Sequence, residues 1–337
     1  MTEPSRRPQS NEDRARDLAR RFFKHENTPL LFVLIGLVFV MGYVTGGKTL
    51  SLINIKNNLL LTSITGIASL GQGMVILTSG IDISLGGMGM FCSIMGAGLM
   101  ATNWQNLIGN PLPVPVGFIL MLAAGAGWGA VNGSLVSYIG IPALISTLGL
   151  WQITEGAGIA VGEGHDIGWQ PEALSWFGSG EILGVPVPVV IFIAVAIIIY
   201  FVMNYTTYGK SIYALGGNPV SAWLAGVNVR KLRFSVYVIS GLLAGLASFT
   251  MLGRMLFASN RSLEGLEIDT IAAATVGGIS LMGGRGTIIG VVLGALIMGV
   301  IANTMTVLNA DPATEGIVKG IIIIMAVTID YIRRQRG

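Results

Sequence analysis

The sequence predicts an all-α, polytopic membrane protein with about ten transmembrane helices. Of its 337 residues, 52% are hydrophobic and only 11% are charged, whereas an ordinary soluble protein has roughly 25% charged residues. Long stretches without any charge recur along the chain, and the longest covers residues 83–154. Because a spanning helix needs about 20 mostly apolar residues, that stretch alone has room for more than one span.

Charged residues, prolines and glycines divide the apolar stretches into ten predicted spans. The spans cover residues 28–46, 55–79, 82–101, 114–137, 142–162, 186–204, 233–253, 268–283, 286–307 and 313–332. Only the turn Gly140-Ile141-Pro142 separates the fourth span from the fifth. One long kinked element is therefore the alternative interpretation of that region.

Lys and Arg residues predict the orientation, because loops rich in them stay in the cytoplasm. They cluster before the first span, between the sixth and seventh, between the eighth and ninth, and after the last. The loop 162–185 contains four acidic residues and no Lys or Arg. Both termini are therefore expected in the cytoplasm, in agreement with an even number of spans.

Three segments follow from this topology: a basic N-terminal segment, 1–27, the transmembrane domain, 28–332, and a short cytoplasmic tail, 333–337. Apolar residues recur with helical spacing in the first segment at Ala15, Leu18, Ala19, Phe22 and Phe23. Arginines fill its other face, a pattern typical of an amphipathic helix on a membrane surface. A partly disordered tail is the alternative. No small-residue cleavage site follows the first apolar run, so a signal peptide is not expected.

The segment Gly42–Thr49 matches the phosphate-binding pattern G-x-x-x-x-G-K-[ST]. A functional loop of this kind follows a buried strand and opens a helix. Here the pattern follows the first predicted span, and it would face the outer side of the membrane. We therefore expect no nucleotide, cofactor or metal in this chain. The net charge of +3 is small and scattered, so nucleic acid is not an expected partner.

A short helix is predicted in the basic loop after the sixth span. Gly216 and Gly217 break the preceding element, and Asn218 is a favourable N-cap. Pro219 suits the first helical position, and Gly226 suits the left-handed position after the helix.

One face of this short helix is apolar, because Val220, Trp223 and Leu224 have the spacing i, i+3, i+4. Two interpretations are open. The face docks into a groove on a soluble partner, or the helix folds back onto the membrane bundle.

Polar side chains within the predicted spans are candidates for lining a transport pathway. They are Gln72, Asn132, Gln152, Thr154 and Glu155. Hydrogen bonds between neighbouring helices are the equal alternative for the uncharged ones. A carboxylate at bilayer depth is costly and usually functional. Glu155 is therefore expected to line the pathway, to pair with another subunit, or to lie near the outer interface.

Two further features concern helix ends and helix packing. Asp82 lies at the turn between the second and third spans, where its main interpretation is an N-cap of the third. Glycines at steps of four form two smooth stripes that allow close helix packing. These stripes are Gly125, Gly129 and Gly133, and Gly286, Gly290 and Gly294.

Three long segments are distinctive as a set: GIDISLGG at Gly80–Gly87, LGGNPVSAWLAGVNV at Leu215–Val229, and the glycine-rich segment Ile268–Ile301. In this order and spacing they resemble the permease subunits of ABC importers for ribose, xylose, arabinose and galactose. The resemblance covers nearly all of the chain after residue 30. One departure is Glu155-Gly156, where the family often has Arg-Gly.

The resemblance implies a vitamin-B12-permease-like fold, that of a type II ABC importer, in the bacterial inner membrane. It implies a second permease subunit, ATPase subunits that bind ATP–Mg, an extracytoplasmic binding protein and surrounding lipid. It further implies that Asn218–Gly226 is the coupling helix. The residues that match the family's structural or gating motifs are Asp82, Ser84, Gly283, Gly284 and Gly286.

The predicted function is therefore that of a permease subunit, without chemistry of its own, for a monosaccharide of the ribose type. The related solutes autoinducer-2, inositol and branched-chain amino acids are alternatives. A stand-alone channel or secondary transporter would usually carry charges in several spans, and it would leave the short helix unexplained. An intramembrane enzyme is disfavoured because both histidines, His25 and His165, lie outside the spans.

Overall fold

Most residues in the computed structural model, which describes residues 27–335, lie in helices. The α-helices within this range, numbered in chain order, are α1 Thr28–Val44, α2 Leu52–Leu77, α3 Leu85–Met100, α4 Val114–Ser134, α5 Ala143–Val161, α6 Glu172–Ser179, α7 Val187–Tyr205, α8 Thr207–Gly217, α9 Pro219–Leu224, α10 Val229–Met255, α11 Leu266–Val276, α12 Ile288–Val307 and α13 Pro312–Gln335. A 3₁₀ turn covers Lys48–Leu50, and a π-helical turn covers Leu135–Ile139. Two short strands, β1 Glu181–Ile182 and β2 Val185–Pro186, pair antiparallel. The predicted all-α class is confirmed, and the predicted N-terminal amphipathic segment lies outside the described residues.

Each of the ten predicted spans overlaps a helix, but the helices differ in length and hydropathy. Five are long and apolar enough to cross a membrane by length and composition: α2, α4 with its π-helical continuation, α7, α10 and α12. The helices α1 and α3 are shorter and also apolar. The chain therefore has the character of a multi-pass membrane protein, and the number of ten crossings stays a prediction.

The prediction of a continuous helix over 268–283 is wrong for the second half of that range. Its helix, α11, ends at Val276, and an irregular segment leads to α12. The reason is backbone conformation: Gly278, Gly283 and Gly284 have φ values of 85°, 82° and 72°. Glycine adopts this left-handed region at no steric cost, and a helix cannot continue through it.

The fourth and fifth predicted spans are separate helices. After the π-helical turn, Gly140 has a φ of 87°, and the backbone N–H groups of Gly140 and Ile141 both donate to the carbonyl oxygen of Leu135. Pro142 then precedes α5. The alternative of one long kinked element is therefore excluded.

Helix α2 is the centre of the bundle. Nearly every side chain from Leu60 to Leu77 is buried, and α7, α8, α10, α11 and α12 all approach it. Small residues on several of its faces, including Gly66, Gly71 and Gly73, admit these neighbours. A helix that is apolar on all sides is stable only inside such a bundle or in lipid.

The outer surface of the bundle is rich in exposed apolar side chains. Large exposed examples on three peripheral helices are Phe39, Ile197 and Ile324. Exposed apolar surface on this scale would make a soluble monomer aggregate. It is the expected surface of helices that contact lipid.

Helices α4 and α10 approach each other at one glycine stripe. A Cβ atom added at Gly125 would lie 2.2 Å from the carbonyl oxygen of Gly241. A Cβ added at Gly129 would lie 2.3 Å from the carbonyl oxygen of Tyr237. The backbones are therefore in direct contact, which the glycine spacing predicts.

We expect Gly125→Ala to destabilise the protein, because the added methyl group overlaps the backbone of α10. Overpacking of this kind costs about 1–3 kcal/mol. The measurement is the apparent melting temperature of the purified protein in mild detergent. Gly127→Ala is the matched control on the same helix, since nothing lies within 4 Å of the added atom. Equal melting temperatures for both variants would contradict the packing argument.

Candidate functional site

The short helix α9 has the capping that the sequence predicts. The Oδ1 atom of Asn218 accepts hydrogen bonds from the backbone N–H groups of Val220 and Ser221, both at 3.0 Å. Pro219 occupies the first position. At the other end, Gly226 has a φ of 85° and donates to the carbonyl oxygen of Trp223 at 2.9 Å. Both ends of α9 are therefore held by local hydrogen bonds.

The apolar face of α9 points away from the bundle. The exposed fractions are 64% for Val220, 66% for Trp223 and 73% for Leu224, against 3% for Ala222. The interpretation in which this face folds back onto the bundle is therefore excluded. We call Val220, Trp223 and Leu224 the docking face.

Exposed basic side chains flank the docking face in the sequence. Lys210 precedes it, Arg230 and Lys231 follow it at the start of α10, and all three are exposed. Arg285, in the irregular segment between α11 and α12, is also exposed. We call this end of the bundle the basic end. A capped helix with an exposed apolar face and basic residues in the flanking segments has the character of a protein contact rather than of a ligand site.

Helix α8, which directly precedes α9, is anchored to the bundle by hydrogen bonds. Tyr208 Oη and Ser235 Oγ lie 2.8 Å apart and join α8 to α10. Burial raises the pKa of the Tyr208 phenol, so the group stays protonated. Tyr213 Oη donates to the carbonyl oxygen of Gly286 at 3.0 Å. The predicted motif residue Gly286 therefore contacts the helix that leads to the docking face.

A backbone junction connects α8 to the end of the central helix α2. The N–H of Gly284 donates to the carbonyl oxygen of Leu77 at 3.0 Å. Ser79 Oγ donates to the carbonyl oxygens of Gly216 at 3.2 Å and of Met282 at 2.8 Å. A Cβ atom at Gly216 would lie 1.8 Å from the Leu77 oxygen. These contacts define the glycine junction: Leu77, Ser79, Gly216, Gly283 and Gly284.

The glycine junction brings together residues that are far apart in the sequence. A cleft of about 430 Å³ is lined by both glycine pairs, Gly216-Gly217 and Gly283-Gly284. The contact between α8 and the end of α2 is therefore backbone against backbone.

Asp82 lies in a buried polar cluster near the basic end. Its Oδ1 accepts hydrogen bonds from the backbone N–H and the hydroxyl of Ser84 and from Asn132 Nδ2 at 3.3 Å. Ser146 Oγ donates to Asn132 Oδ1 at 2.8 Å, and Ser240 Oγ lies 3.5 Å from Asp82 Oδ2. The cluster joins α3, α4, α5 and α10.

The interpretation of Asp82 as the N-cap of the third span is wrong in position. Helix α3 begins at Leu85, and Ser84 occupies the N-cap position without a capping side-chain bond. Asp82 instead accepts a hydrogen bond from the backbone N–H of Ser84, the residue directly before α3. The carboxylate therefore stabilises the turn that leads into α3.

The five polar pathway candidates lie in different surroundings. Asn132 belongs to the Asp82 cluster. Gln72 is fully buried on α2, and neither of its amide atoms has a hydrogen-bond partner among the described residues. Thr154 is buried and bonds to the carbonyl oxygens of Leu150 and Trp151 in its own helix.

The other two candidates lie together on α5. Gln152 is exposed, and its Nε2 lies 3.4 Å from Glu155 Oε2. Glu155 lines a second cavity, of about 360 Å³, together with Trp151 and Glu267. The pathway role of these residues stays a prediction.

The pattern Gly42–Thr49 does not have the structure of a phosphate-binding loop. An apolar helix, α1, precedes it instead of a buried strand, and a single 3₁₀ turn, Lys48–Leu50, follows its glycines. Lys48 is exposed. The segment therefore has neither structural element that the pattern requires.

Comparison with known proteins gives the family. The family model described as branched-chain amino acid transport system, permease component, matches residues 54–327. The ribose import permease protein of Escherichia coli (strain K12) is 35% identical over 304 residues, which are 89% of this chain and 91% of that protein. The chain belongs to the sugar ABC transporter permease family. The match extends through α2 to α13, and so includes the docking face, the glycine junction and the Asp82 cluster.

Two further relatives of the permease are sugar permeases by name. The fructose import permease protein of Rhizobium meliloti is 35% identical over 316 residues, 91% of this chain and 85% of that protein. The D-allose transport system permease protein of Escherichia coli (strain K12) is 33% identical over 300 residues, 89% of this chain and 90% of that protein. No solved structure matches the permease significantly.

Sequence reasoning missed the contacts of three acidic residues in the permease, Glu264, Glu267 and Asp269. Lys319 on α13 forms an ion pair with Glu315, four residues earlier on the same helix, where side chains of opposite charge are neighbours. It forms a second ion pair with Asp269 on α11 at 2.8 Å. Glu264 and Glu267 line the same cavity as Glu155. The available signal was the run of three acids at 264, 267 and 269 beside an apolar segment.

We expect Asn132→Ala to destabilise the permease, because it removes a donor to Asp82 and the acceptor of Ser146. A buried polar group left without its partner costs about 1–3 kcal/mol. The measurement is the apparent melting temperature in mild detergent. Asn204→Ala on α7 is the matched control, since Asn204 is exposed and its amide donates only to the Tyr200 carbonyl oxygen of its own helix. A control variant that melts as low as Asn132→Ala would contradict a special role for the cluster.

Proposed function

We propose that this chain forms the translocation pathway of an ABC importer for a monosaccharide, with a ribose-type pentose as the first candidate. An extracytoplasmic binding protein delivers the sugar, and a separate ATPase subunit binds ATP–Mg and supplies the energy. The observation that carries this proposal is the exposed docking face on a capped helix. The names of the ribose, fructose and allose relatives support the substrate class.

The docking face has the properties of a contact for a soluble ATPase. An exposed Trp between two aliphatic side chains is a typical anchor for a groove in a partner protein. The flanking Lys and Arg residues favour a partner groove with a negatively charged rim. Because the phosphate-binding pattern of this chain lacks its structural context, nucleotide chemistry belongs to that partner.

The glycine junction explains how a movement of the partner reaches the pathway. When the ATPase moves the docking face, α8 moves with it, and Gly216 presses on the backbone at Leu77 of α2. The junction also includes Gly284, in the segment that leads into α12. A rigid contact of this kind couples the partner to two helices of the bundle at once.

The two ends of the bundle and its exposed apolar sides suggest where the binding protein, the second permease subunit and lipid make contact. The basic end faces the cytoplasm by the rule for positively charged loops, which places both termini there in a bacterial inner membrane. The binding protein then meets the opposite end, where loop 162–185 carries its acidic residues. A second permease subunit and membrane lipid cover the exposed apolar helices.

We expect Trp223→Glu to abolish co-purification of the ATPase subunit, because a carboxylate replaces the apolar anchor of the docking face. The tagged chain is purified from its native membranes in mild detergent, and its partners are identified by mass spectrometry. Trp104→Glu is the matched control, since Trp104 is 83% exposed in the loop between α3 and α4 at the opposite end. Co-purification in the control and its loss in Trp223→Glu would support the assignment.

The same preparation separates this function from the alternatives. The intact complex in vesicles is expected to import radiolabelled ribose, fructose or allose only with ATP and the binding protein. Import of autoinducer-2, inositol or a branched-chain amino acid instead would keep the architecture and change the substrate. A chain that purifies alone and transports solute without ATP would overturn the proposal.

A further inference from the structure

The second cavity lies where the irregular segment between α10 and α11 packs into the bundle. Its walls come from α3, α5 and the segment 260–267. Glu155 is twelve residues beyond the start of α5, which corresponds to about 18 Å along a helix. In the predicted fifth span, 142–162, this position falls within a hydrocarbon core about 30 Å thick.

The segment between α10 and α11 descends from the opposite end of the bundle to reach this cavity. Near its start, Ala258 pairs with Ile167 by two backbone hydrogen bonds of 2.8 and 2.9 Å. Farther along, Leu263 packs on α3, where a Cβ atom at Gly89 would lie 2.8 Å from its side chain. Irregular backbone at membrane depth is stable only where protein buries it or where it lines a water-filled cavity.

Two buried oxygen atoms of the cavity residues lack a hydrogen-bond partner among residues 27–335. They are Glu267 Oε2 and Asn260 Oδ1. The amide of Asn260 is oriented by its Nδ2, which donates to the carbonyl oxygen of Gly164 at 3.0 Å. Buried acceptors without a donor are rare and costly. Both side chains line the cavity and have an acceptor that no donor in the described residues satisfies.

The other lining residues narrow the class of ligand. Trp151 offers an aromatic surface, and the charged lining residues are Glu155, Arg261, Glu264 and Glu267. Three carboxylates disfavour an anionic ligand. No group of three or more His, Cys, Asp or Glu in the described part of the chain has the arrangement of a metal site. A neutral molecule with several hydroxyl groups and an apolar carbon face meets all of these conditions.

We propose that this cavity is a transient binding site for the transported monosaccharide, in which Glu267 and Asn260 accept hydrogen bonds from sugar hydroxyls and Trp151 packs against the sugar ring. The proposal rests on the proposed function and adds the residues that hold the sugar inside the membrane. The volume of about 360 Å³ falls in the range of small-molecule pockets, roughly 300–1,000 Å³.

The test uses thiol labelling, because the only natural cysteine, Cys92, is fully buried. Ser262→Cys places one thiol in the cavity wall with almost no change in size. The intact complex with its ATPase is placed in lipid nanodiscs without binding protein, and the rate of reaction with a small methanethiosulfonate is measured. Ribose, fructose and allose are the probes, and the unsubstituted complex gives the background rate.

We expect the sugar that the complex imports to slow labelling of Ser262→Cys, because the bound sugar covers the thiol. Ala173→Cys is the matched control, an exposed position on α6 outside the cavity, where the same sugar should have no effect. Adding Glu267→Gln to Ser262→Cys should raise the concentration for half-protection by about tenfold, since a neutral amide oxygen is a weaker acceptor than a carboxylate oxygen and the amide N–H₂ is not an acceptor. Adding Glu163→Gln, an exposed acid outside the cavity, should leave it unchanged.

The outcomes separate this proposal from the proposed function. If the complex imports a sugar that protects neither thiol, or both equally, the cavity is not its binding site and the importer function stands. Equal half-protection concentrations for the Glu267→Gln and Glu163→Gln backgrounds would also overturn the assignment of Glu267. If the complex imports none of the three sugars, the proposed function and the cavity assignment fail together.

Discussion

Backbone hydrogen bonding in a medium without water is the constraint on which this structure depends. Within a bilayer an unpaired N–H or C=O group costs several kcal/mol, so the chain must be helical or must bond to other protein. The irregular segments of the bundle obey this rule. Gly284 donates to the carbonyl oxygen of Leu77, and Ser280 donates to that of Arg285. In the turn between α2 and α3, Asp82 accepts a hydrogen bond from the backbone N–H of Ser84.

The irregular segments are also where distant parts of the chain meet. The segment 277–287 reaches α8 and the end of α2, and so forms the glycine junction beneath the docking face. The segment 256–265 reaches α3 and α5, and so completes the cavity that contains Glu155. The turn at Asp82 joins four helices through polar side chains. A bundle of regular helices alone would have no backbone groups to offer at these three places.

Much of the fold and of the docking helix could be predicted from local rules. Hydropathy located the long helices, and glycine spacing predicted the contact between α4 and α10. Asn218, Pro219 and Gly226 predicted both ends of α9, because capping depends only on residues within one turn. The end of α11 at Val276 was not predicted, because hydropathy alone predicts a helix through the whole apolar stretch. The left-handed glycine conformations that end the helix are visible only in the structure. The predicted N-cap of α3, Asp82, is two residues before the observed one, Ser84, because helix boundaries also depend on tertiary contacts.

The sequence by itself determined the membrane class, the family resemblance, the caps of α9 and the apolar character of its face, all of which are properties of neighbouring residues. Only the tertiary structure decided that this face is exposed and that Gly216 meets Leu77 and Gly284. Only the tertiary structure separated Asn132, in a polar cluster, from Glu155, in a cavity with Glu267. Both residues are polar residues within apolar stretches, and the sequence does not show which side chains lie near them. Their surroundings are set by which helices pack together, which is a property of the whole bundle.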